Sequence, residues 1–399
     1  MERRRGELLF LNFGHALDHL FMLLFPTVVL SLEAEFQRPY AELLPLALGG
    51  FIAFGGATLP AGWLGDRWSR RHMMTLFFVG IGAASIVTGL AAGAWQLAAG
   101  LTLIGLFASI YHPIGTAMVV QGAAGVGRVL GVNGVAGNLG VAAAALLAGA
   151  LTDLIHWRAA FIVPGVVAIA TGVAFALYTR PLPGAAAPAA KARQAGSWAG
   201  ASMVRMLTVL GVATVLGGLV FNSTLVALPK VFEVRMAGLA TSTMGVGVLV
   251  SLVYTVGAFG QIVVGYLIDR YPLRNVLMAV AALQAPLLLA AANLAGGALL
   301  AVAALMMFVV FGAIPITDTI VARNTAEHQR SRVYAIKYVA SLGVGSLAVP
   351  LVSLVYSTTR DFVVLFGLFA GFAAVIALAA TALPRAEGPT VSPQPAGGS

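Results

Sequence analysis

The chain has 399 residues, of which 60% are apolar and only 9% are charged, and its mean hydropathy is +0.95. Soluble domains carry about 25% charged residues, so this chain lacks the polar surface of a soluble enzyme, a nucleic-acid-binding protein or a disordered protein. The absence of cysteine excludes disulfides, thiolate metal sites and cysteine nucleophiles. Because the composition excludes a soluble nucleic-acid-binding protein, the formal net charge of +9 needs an explanation from membrane topology.

Twelve apolar runs, separated by Gly, Pro and charged residues, follow one another along the chain. Because a transmembrane helix needs roughly 20 apolar residues, we predict an all-α membrane protein with twelve transmembrane helices in two six-helix bundles. The runs are 8–32, 41–64, 73–92, 95–120, 130–152, 159–179, 206–229, 242–268, 275–294, 297–322, 333–357 and 361–383.

The segment between the sixth and seventh runs is rich in Ala, Pro and Gly, a composition that is typical of a linker. It lies at the midpoint of the chain and separates the two bundles. We predict an N-terminal bundle at 1–180, a cytoplasmic linker at 181–205, a C-terminal bundle at 206–384 and a disordered tail at 385–399.

The basic residues indicate the orientation in the membrane. With the N-terminus inside, only five of the 23 Lys and Arg residues lie in external segments, namely Arg38, Arg158, Lys230, Arg235 and Arg360. Since the Lys and Arg bias sets orientation, we predict that both termini are cytoplasmic and that the first helix is not cleaved. The lipid bilayer, rather than nucleic acid, then explains the positive charge.

A repeat relates the two halves of the chain. GWLGDRWSRR at 62–71 returns as GYLIDRYPLR at 265–274, and Pro26 corresponds to Pro229 at the same offset of 203. GRVLGVNGV at 127–135 matches SRVYAIKYV at 331–339 at an offset of 204. These matches predict a parallel duplication, in which the substrate site lies between the halves near mid-membrane.

The loop at 62–71 resembles the G-x-L-a-D-r-x-G-r-r signature of the major facilitator superfamily. The matching residues are Gly62, Leu64, Asp66, Arg67, Arg70 and Arg71, and Asp269 and Arg270 keep a weaker copy in the second half. The resemblance implies two pseudo-symmetric six-helix bundles and transport by alternating access, with helices 1, 4, 7 and 10 lining the cavity.

A narrower resemblance is to the fosmidomycin-resistance-like branch of that superfamily. It is carried by HALDH at 15–19 with Pro26 following, by YHPI at 111–114 and by AGNLG at 136–140. The acidic residue of helix 1 is displaced by one position from that branch, and the glutamate that follows His-Pro is missing.

The loop motif has a chemical interpretation of its own. Asp66 can accept hydrogen bonds from helix N-terminal amides or from an arginine, which predicts a latch between neighbouring helices in one access state. The alternative is plain positive-inside anchoring. The predicted gating residues of the two loops are Asp66, Arg67, Arg70, Arg71, Asp269 and Arg270.

Helix 1 carries His15, Asp18, His19 and Met22 at spacings that place them on one helical face. His112 on helix 4 precedes Pro113, which can kink that helix. Ionisable groups in a membrane span are costly and need a partner or a cavity. The family resemblance implies that these groups face the cavity.

Three interpretations of this set remain open. Asp18 is a proton carrier whose behaviour His15, His19 and His112 adjust. Alternatively, His15, Asp18, His19, Met22 and His112 bind a transition-metal ion in passage. In the third interpretation the acid and the histidines neutralise one another and join helices 1 and 4.

Further polar residues lie in the predicted spans. Asp318 and Lys337 fall near the cytoplasmic ends of helices 10 and 11, which predicts a gating ion pair; the alternative is that Lys337 snorkels to the headgroups. Substrate contacts are predicted for Asn12, Met22, Tyr111, Asn133, Asn138, Asn222, Gln261 and Tyr338.

The chain has no Walker loop, no GxGxxG motif and no catalytic triad pattern, so we predict neither an enzyme nor a cofactor. We expect a monomeric secondary transporter of the bacterial inner membrane, a proton-coupled antiporter for efflux of a small organic compound or drug. The alternatives are a transition-metal ion transporter and, in another class, a receptor or scaffold that transports nothing.

Overall fold

The computed structural model describes residues 2–121, 126–180, 201–236, 238–324, 337, 339–341 and 343–383. In these residues 11 helices are long and apolar enough to cross a membrane, or 12 when the bent pair Tyr40–Gly56 and Thr58–Arg67 counts as one span. The predicted all-α membrane fold is confirmed. We number the twelve spans in chain order as helices 1 to 12.

Each half of the chain contributes six of these helices. Helices 1 to 6 are Glu2–Phe36, Tyr40–Arg67, Arg70–Gly89, Ala94–Val120, Val126–Leu154 and Ala159–Tyr178. Helices 7 to 12 are Ala201–Arg235, Thr243–Arg270, Leu273–Asn293, Gly296–Asn324, Val339–Thr359 and Val363–Ala380.

Several helices are interrupted beside prolines, which lack the N–H group that an α-helix needs. Helix 1 breaks at Leu24, and its second segment, Phe25–Phe36, begins with Pro26 in the first turn. Helix 10 breaks at Ala313, before Pro315. In helix 4 the predicted kink at Pro113 takes the form of a π-helical turn over Tyr111–Gly115.

Two boundaries differ from the sequence prediction. Helix 1 begins at Glu2 rather than at residue 8, because the Arg4 guanidinium pairs with Glu7 at 3.0 Å and donates to the carbonyls of Met118 and Val119 at 2.8 and 2.9 Å. Helix 7 begins at Ala201, inside the predicted linker, where the sequence has no Gly or Pro. The rest of that linker, and the predicted tail, lie outside the described residues.

Small residues let backbones approach closely where helix 5 meets its neighbours. A Cβ atom at Gly140 would lie 2.1 Å from the Ala16 carbonyl oxygen of helix 1. A Cβ atom at Gly247 of helix 8 would lie 2.3 Å from the Ala145 carbonyl oxygen of helix 5. Helix 5 therefore packs backbone to backbone against its own half and against the other half.

We expect Gly140→Ala to lower the melting temperature of the detergent-purified protein. The added methyl group overpacks the helix 1–helix 5 contact and lowers the free energy of unfolding by about 1–3 kcal/mol. The matched control is Gly367→Ala in helix 12, where a Cβ atom meets nothing within 4 Å. The control should melt at or slightly above the wild-type temperature. Equal melting temperatures for Gly140→Ala and wild type would contradict this packing.

Candidate functional site

A cavity of about 1520 Å³ lies between the two halves. Helices of both halves form its wall, including helices 1, 4, 7 and 10 and also helices 2, 5, 8 and 11. The wall reaches Asp66 at the loop between helices 2 and 3, where the Asp66 side chain is 71% exposed. We call this the loop end of the molecule, and the other end the far end. The cavity is open at the loop end.

Three histidines meet on the cavity wall. His15 and His19 lie one turn apart on helix 1, and the π-helical turn of helix 4 carries His112. One ring nitrogen of each lies within 4.8 Å of the other two, and the Nε2 atoms of His15 and His19 are 3.1 Å apart. We call His15, His19 and His112 the imidazole cluster. The structure thus brings His112 of helix 4 next to the two histidines of helix 1.

Asp18 lies behind the imidazole cluster rather than on the cavity wall. Its side chain is 0% exposed, and its Oδ2 lies 3.4 Å from His112 Nε2, a long contact for a hydrogen bond. His112 lines the cavity, so it stands between Asp18 and the cavity. The His112 ring therefore separates the carboxylate from the cavity.

A buried hydrogen-bond network fixes the orientation of His15. Its Nδ1 lies 2.7 Å from the backbone carbonyl oxygen of Asn133, and since a carbonyl only accepts, Nδ1 carries the proton. The Asn133 side chain donates to Asn12 Oδ1 and to the Tyr111 hydroxyl, which donates to the Leu11 carbonyl at 2.8 Å. The Tyr111 ring stacks on His15 at 4.8 Å. Asn12 and Tyr111 thus support His15 from behind and do not line the cavity.

The other predicted substrate contacts are distributed around the wall. Met22, Asn133, Asn138, Asn222 and Gln261 line the cavity. The Asn222 side chain donates to the Gly218 carbonyl of its own helix at 2.8 Å. Tyr338 lies outside the described residues.

Outside the imidazole cluster, two buried polar groups of the cavity wall lack a hydrogen-bond partner among the described residues. They are Asn138 Nδ2 on helix 5 and Thr214 Oγ1 on helix 7, and both residues are 6% exposed. Because a buried polar group without a partner is costly, these groups are candidates for binding a ligand. Sequence reasoning missed Thr214, since a single threonine in an apolar helix usually bonds its own backbone.

At the loop end the predicted gating residues bond within their own half. Arg70 donates to Asp66 at 3.0 Å. Arg71 donates to the Ala176 carbonyl at 2.5 Å and to Thr179 Oγ1 at 3.1 Å, so it caps the end of helix 6. These contacts hold helices 2, 3 and 6 together without reaching the second half.

The repeated loop motif has a repeated contact. The Arg67 guanidinium lies 4.7 Å from the centre of the Trp63 ring, and Arg270 lies 3.8 Å from the centre of the Tyr266 ring. Each arginine thus covers an aromatic ring one turn earlier on its own helix. Asp269 lies in the last turn of helix 8, beside Arg270.

In the second half, Lys337 Nζ forms an ion pair with Asp318 Oδ1. Lys337 is buried, and both residues line the cavity. The contact that the sequence predicted is therefore present. It joins helix 10 to the segment that leads into helix 11.

The far end is closed by a buried lysine that sequence reasoning missed. Lys230 of helix 7 is 5% exposed and donates to Glu33 of helix 1 at 2.8 Å, and it also pairs with Glu233. Its ammonium lies 5.1 Å from the centre of the Tyr40 ring and 5.6 Å from that of Tyr356. The sequence placed Lys230 in an external segment, and nothing in it indicated a partner on helix 1.

Two further contacts cross between the halves at the far end. Ser353 Oγ donates to the Ala41 carbonyl at 2.6 Å, and Asp153 Oδ2 accepts from the Met244 N–H, also at 2.6 Å. The second contact caps the start of helix 8. Together with the Lys230 pairs, they close the cavity at this end.

Outside the spans, Asp361 pairs with Arg235 beside the same end. Partial burial raises the pKa of the Asp361 carboxyl. Hydrogen bonds from Arg235 and from the Phe362 N–H outweigh this effect and hold the pKa below its ordinary value.

Solved structures of transporters share this fold. A bacterial homologue of the human lysosomal transporter Spinster, in an inward-facing and unoccupied conformation, superposes with a TM-score of 0.70 at 16% identity, covering 96% of this chain and 95% of that one. A D-xylose–proton symporter superposes with a TM-score of 0.72 at 13% identity, covering 95% of this chain and 97% of that one.

A curated relative shares part of the sequence. Residues of this chain are 31% identical over 110 positions to the puromycin resistance protein pur8 of Streptomyces alboniger. The match covers 27% of this chain and 22% of the relative.

The family model of the Major Facilitator Superfamily matches residues 10–250 and 210–399, which together cover nearly the whole chain. The fold of the solved transporters and the cavity between two six-helix halves agree with this match. The protein is a membrane transporter and not an enzyme. The chain belongs to the major facilitator superfamily.

Proposed function

We propose that this protein is a proton-coupled antiporter that exports a small, largely apolar organic compound by alternating access. The observation that carries the proposal is the position of Asp18. It is a fully buried carboxylate that lies behind His112, and His112 lines a cavity that both halves share. A buried group of this kind changes its charge at a high energetic cost unless its surroundings change with it.

The cavity supports an organic substrate. Its wall contains large apolar side chains from both halves, among them Phe51, Phe54, Trp63 and Phe221. A volume of about 1520 Å³ exceeds that of ordinary small-molecule pockets, about 300–1,000 Å³. The partial likeness to a puromycin resistance protein is a further argument for efflux of an organic compound.

Asp18 and His112 suggest how a proton is coupled to the substrate. When Asp18 is protonated it is neutral and stable in its buried site. When it is ionised, it needs His112 as a cation or needs water, and both reach it from the cavity side. Proton exchange with the cavity therefore passes through His112, and substrate binding beside this imidazole competes with protonation. The rings of His15 and His19 pack against the His112 ring and set its position.

The contacts at the two ends indicate the access state. The far end is closed by the Lys230–Glu33 pair, and the cavity is open at the loop end. The protein lies in a bacterial inner membrane with both termini in the cytoplasm, as the basic residues favour. The loop end then faces the cytoplasm, and this is an inward-facing state. The contacts of Asp66 and the loop arginines, which hold neighbouring helices of the first half together in this state, act as the latch. The Asp318–Lys337 ion pair, which is formed in this state, breaks when the far end opens.

Alternating access predicts that joining the halves at the far end stops transport. The chain has no cysteine, so the variant Ala41→Cys/Ser353→Cys introduces a single pair of thiols. A short bifunctional thiol reagent should cross-link this pair and abolish efflux of puromycin from cells that lack their own drug exporters. Reduction of a cleavable cross-link should restore efflux. Each single-cysteine variant is the control, and efflux that persists in the cross-linked protein would refute the mechanism.

Proton coupling predicts a specific effect of Asp18→Asn. In proteoliposomes, an imposed proton gradient should drive accumulation of puromycin, or of other apolar amines, by the wild type but not by this variant. Exchange of labelled for unlabelled compound without a gradient should survive, since the cavity is intact. The control is Glu35→Gln, which removes the charge of a carboxylate that pairs with Arg158 within the first half. Gradient-driven accumulation by Asp18→Asn would sink the assignment of the proton site, and the absence of flux for every compound would favour a receptor or scaffold.

The Asn138 amide predicts a contribution to substrate affinity. If a substrate acceptor satisfies Asn138 Nδ2, then Asn138→Leu should weaken binding about 2- to 10-fold, as expected for one hydrogen bond of about 0.5–1.5 kcal/mol. Tryptophan fluorescence titration with puromycin measures the dissociation constant. Asn293→Leu is the matched control, because Asn293 is exposed and bonds only its own helix among the described residues. Equal constants for Asn138→Leu and the wild type would show that this amide does not contact puromycin.

A further inference from the structure

The imidazole cluster has the composition of a metal site. Among the described residues it is the one group of three or more His, Cys, Asp or Glu side chains whose ligand atoms converge closely enough to hold an ion. All three rings line the cavity, so an ion can reach them without crossing the protein core. Imidazole is a good ligand for Zn²⁺, Cu²⁺, Ni²⁺ and Fe²⁺, whereas Mg²⁺ and Ca²⁺ prefer oxygen.

The orientation of His15 is that of a coordinating histidine. Metal-bound histidines usually donate their other ring N–H to a backbone carbonyl or a carboxylate, which fixes the ring and its tautomer. Here Nδ1 of His15 donates to the Asn133 carbonyl at 2.7 Å, and Nε2 points toward His19 Nε2 at 3.1 Å. The nitrogen lone pair of the neutral ring therefore faces His19, another member of the cluster.

Asp18 supplies the second element of this arrangement. Its Oδ2 lies 3.4 Å from His112 Nε2, so a small shift would form the carboxylate–histidine pairing that supports many zinc ligands, and His112 would then coordinate through Nδ1. In this arrangement Asp18 is a positioning residue for His112 and not a ligand itself. Its negative charge also offsets part of the charge of a bound cation.

The distances fit a small adjustment on binding. At Zn–N bonds of about 2.0–2.1 Å, two tetrahedral ligand nitrogens lie about 3.3 Å apart. His15 and His19 are at 3.1 Å, and the widest separation in the cluster is within 4.8 Å. A movement of one ring nitrogen by about 1.5 Å brings all three nitrogens to this separation. A Cβ atom at Gly137 would lie 2.8 Å from the His15 ring, so this glycine provides the space for it.

We propose that His15, His19 and His112 bind one divalent transition-metal ion, with Asp18 positioning His112 and with the remaining coordination positions open to the cavity. The inference deepens the proposed function, because it makes a metal ion part of the cargo. The ion arrives either as the aquated cation or as a complex with the organic compound that fills the rest of the cavity. Both share the same coordination by three imidazoles.

Cobalt(II) is a direct probe of this site, because four- or five-coordinate Co²⁺ absorbs visible light far more strongly than the aquated ion. The metal-free protein in detergent should develop these bands on titration with CoCl₂, saturating at one Co²⁺ per chain, and Zn²⁺ should abolish them. His15→Ala and His112→Gln should each weaken Co²⁺ binding more than tenfold. Asp18→Asn should weaken it about 10- to 100-fold, as other changes around metal ligands do.

Matched variants keep the test specific. His156→Ala removes a histidine that lies just after helix 5, away from the cluster, and this variant should bind Co²⁺ like the wild type. Each variant is compared with the wild type by melting temperature without metal, and His112→Gln retains a side chain of similar size. A wild type without the bands, or bands that are undiminished in both His15→Ala and His112→Gln, would overturn the proposal.

Two further measurements are needed. One distinguishes the aquated ion from a metal–organic complex, and the other tests the metal site separately from the proton site. Titration with Co²⁺ complexed by 8-hydroxyquinoline should give shifted bands if the site accepts a chelate, whereas bands with CoCl₂ alone show that the site binds the aquated ion. The puromycin flux of wild type and Asp18→Asn is measured again with a strong chelator present. A loss of gradient-driven flux in Asp18→Asn under chelator tests the proton site alone, so either proposal can fail without the other.

Discussion

The burial of one carboxylate determines the arrangement of the first half. Asp18 is fully excluded from solvent, and a charge held in hydrocarbon costs several kcal/mol unless a partner is available. The partner, His112, belongs to another helix, so helix 4 must approach helix 1 at this depth. The stacking of Tyr111 on His15 and the bonds of Asn133 maintain that approach from behind. The polar residues of helices 1, 4 and 5 thus form one structural unit.

Charges are used differently at the two ends of the molecule. At the far end, Glu33 and Lys230 pair across the halves, and Asp153 caps helix 8 from the opposite half. At the loop end, the described contacts of Asp66 and of Arg71 stay within the first half, and Asp318 pairs within the second. The cross-half polar contacts of this state are therefore concentrated at the closed end. An opening of the far end would break all of these cross-half contacts.

Much of the fold followed from composition and spacing, because apolar runs of about 20 residues have few alternatives to membrane spans. The shared face of His15, Asp18 and His19 followed from helical periodicity. Periodicity does not give the rotation of a helix relative to its neighbours, so it could not place Tyr111 behind the cavity wall. The pairing of Lys230 with Glu33 joins residues 197 positions apart. No local pattern connects two such residues before the halves are packed.

The π-helical turn at Tyr111–Gly115 stores one extra residue in helix 4. Each residue of an α-helix turns the chain by about 100°. Conversion of this turn to regular α-helix would rotate the following part of helix 4 against the preceding part by about that angle. His112 lies inside the turn, so the same conversion would carry its ring away from Asp18 and from the other two imidazoles. The π-helical turn therefore places His112 at the point of helix 4 where a shift of one residue in register would change the rotation of the loop-end segment.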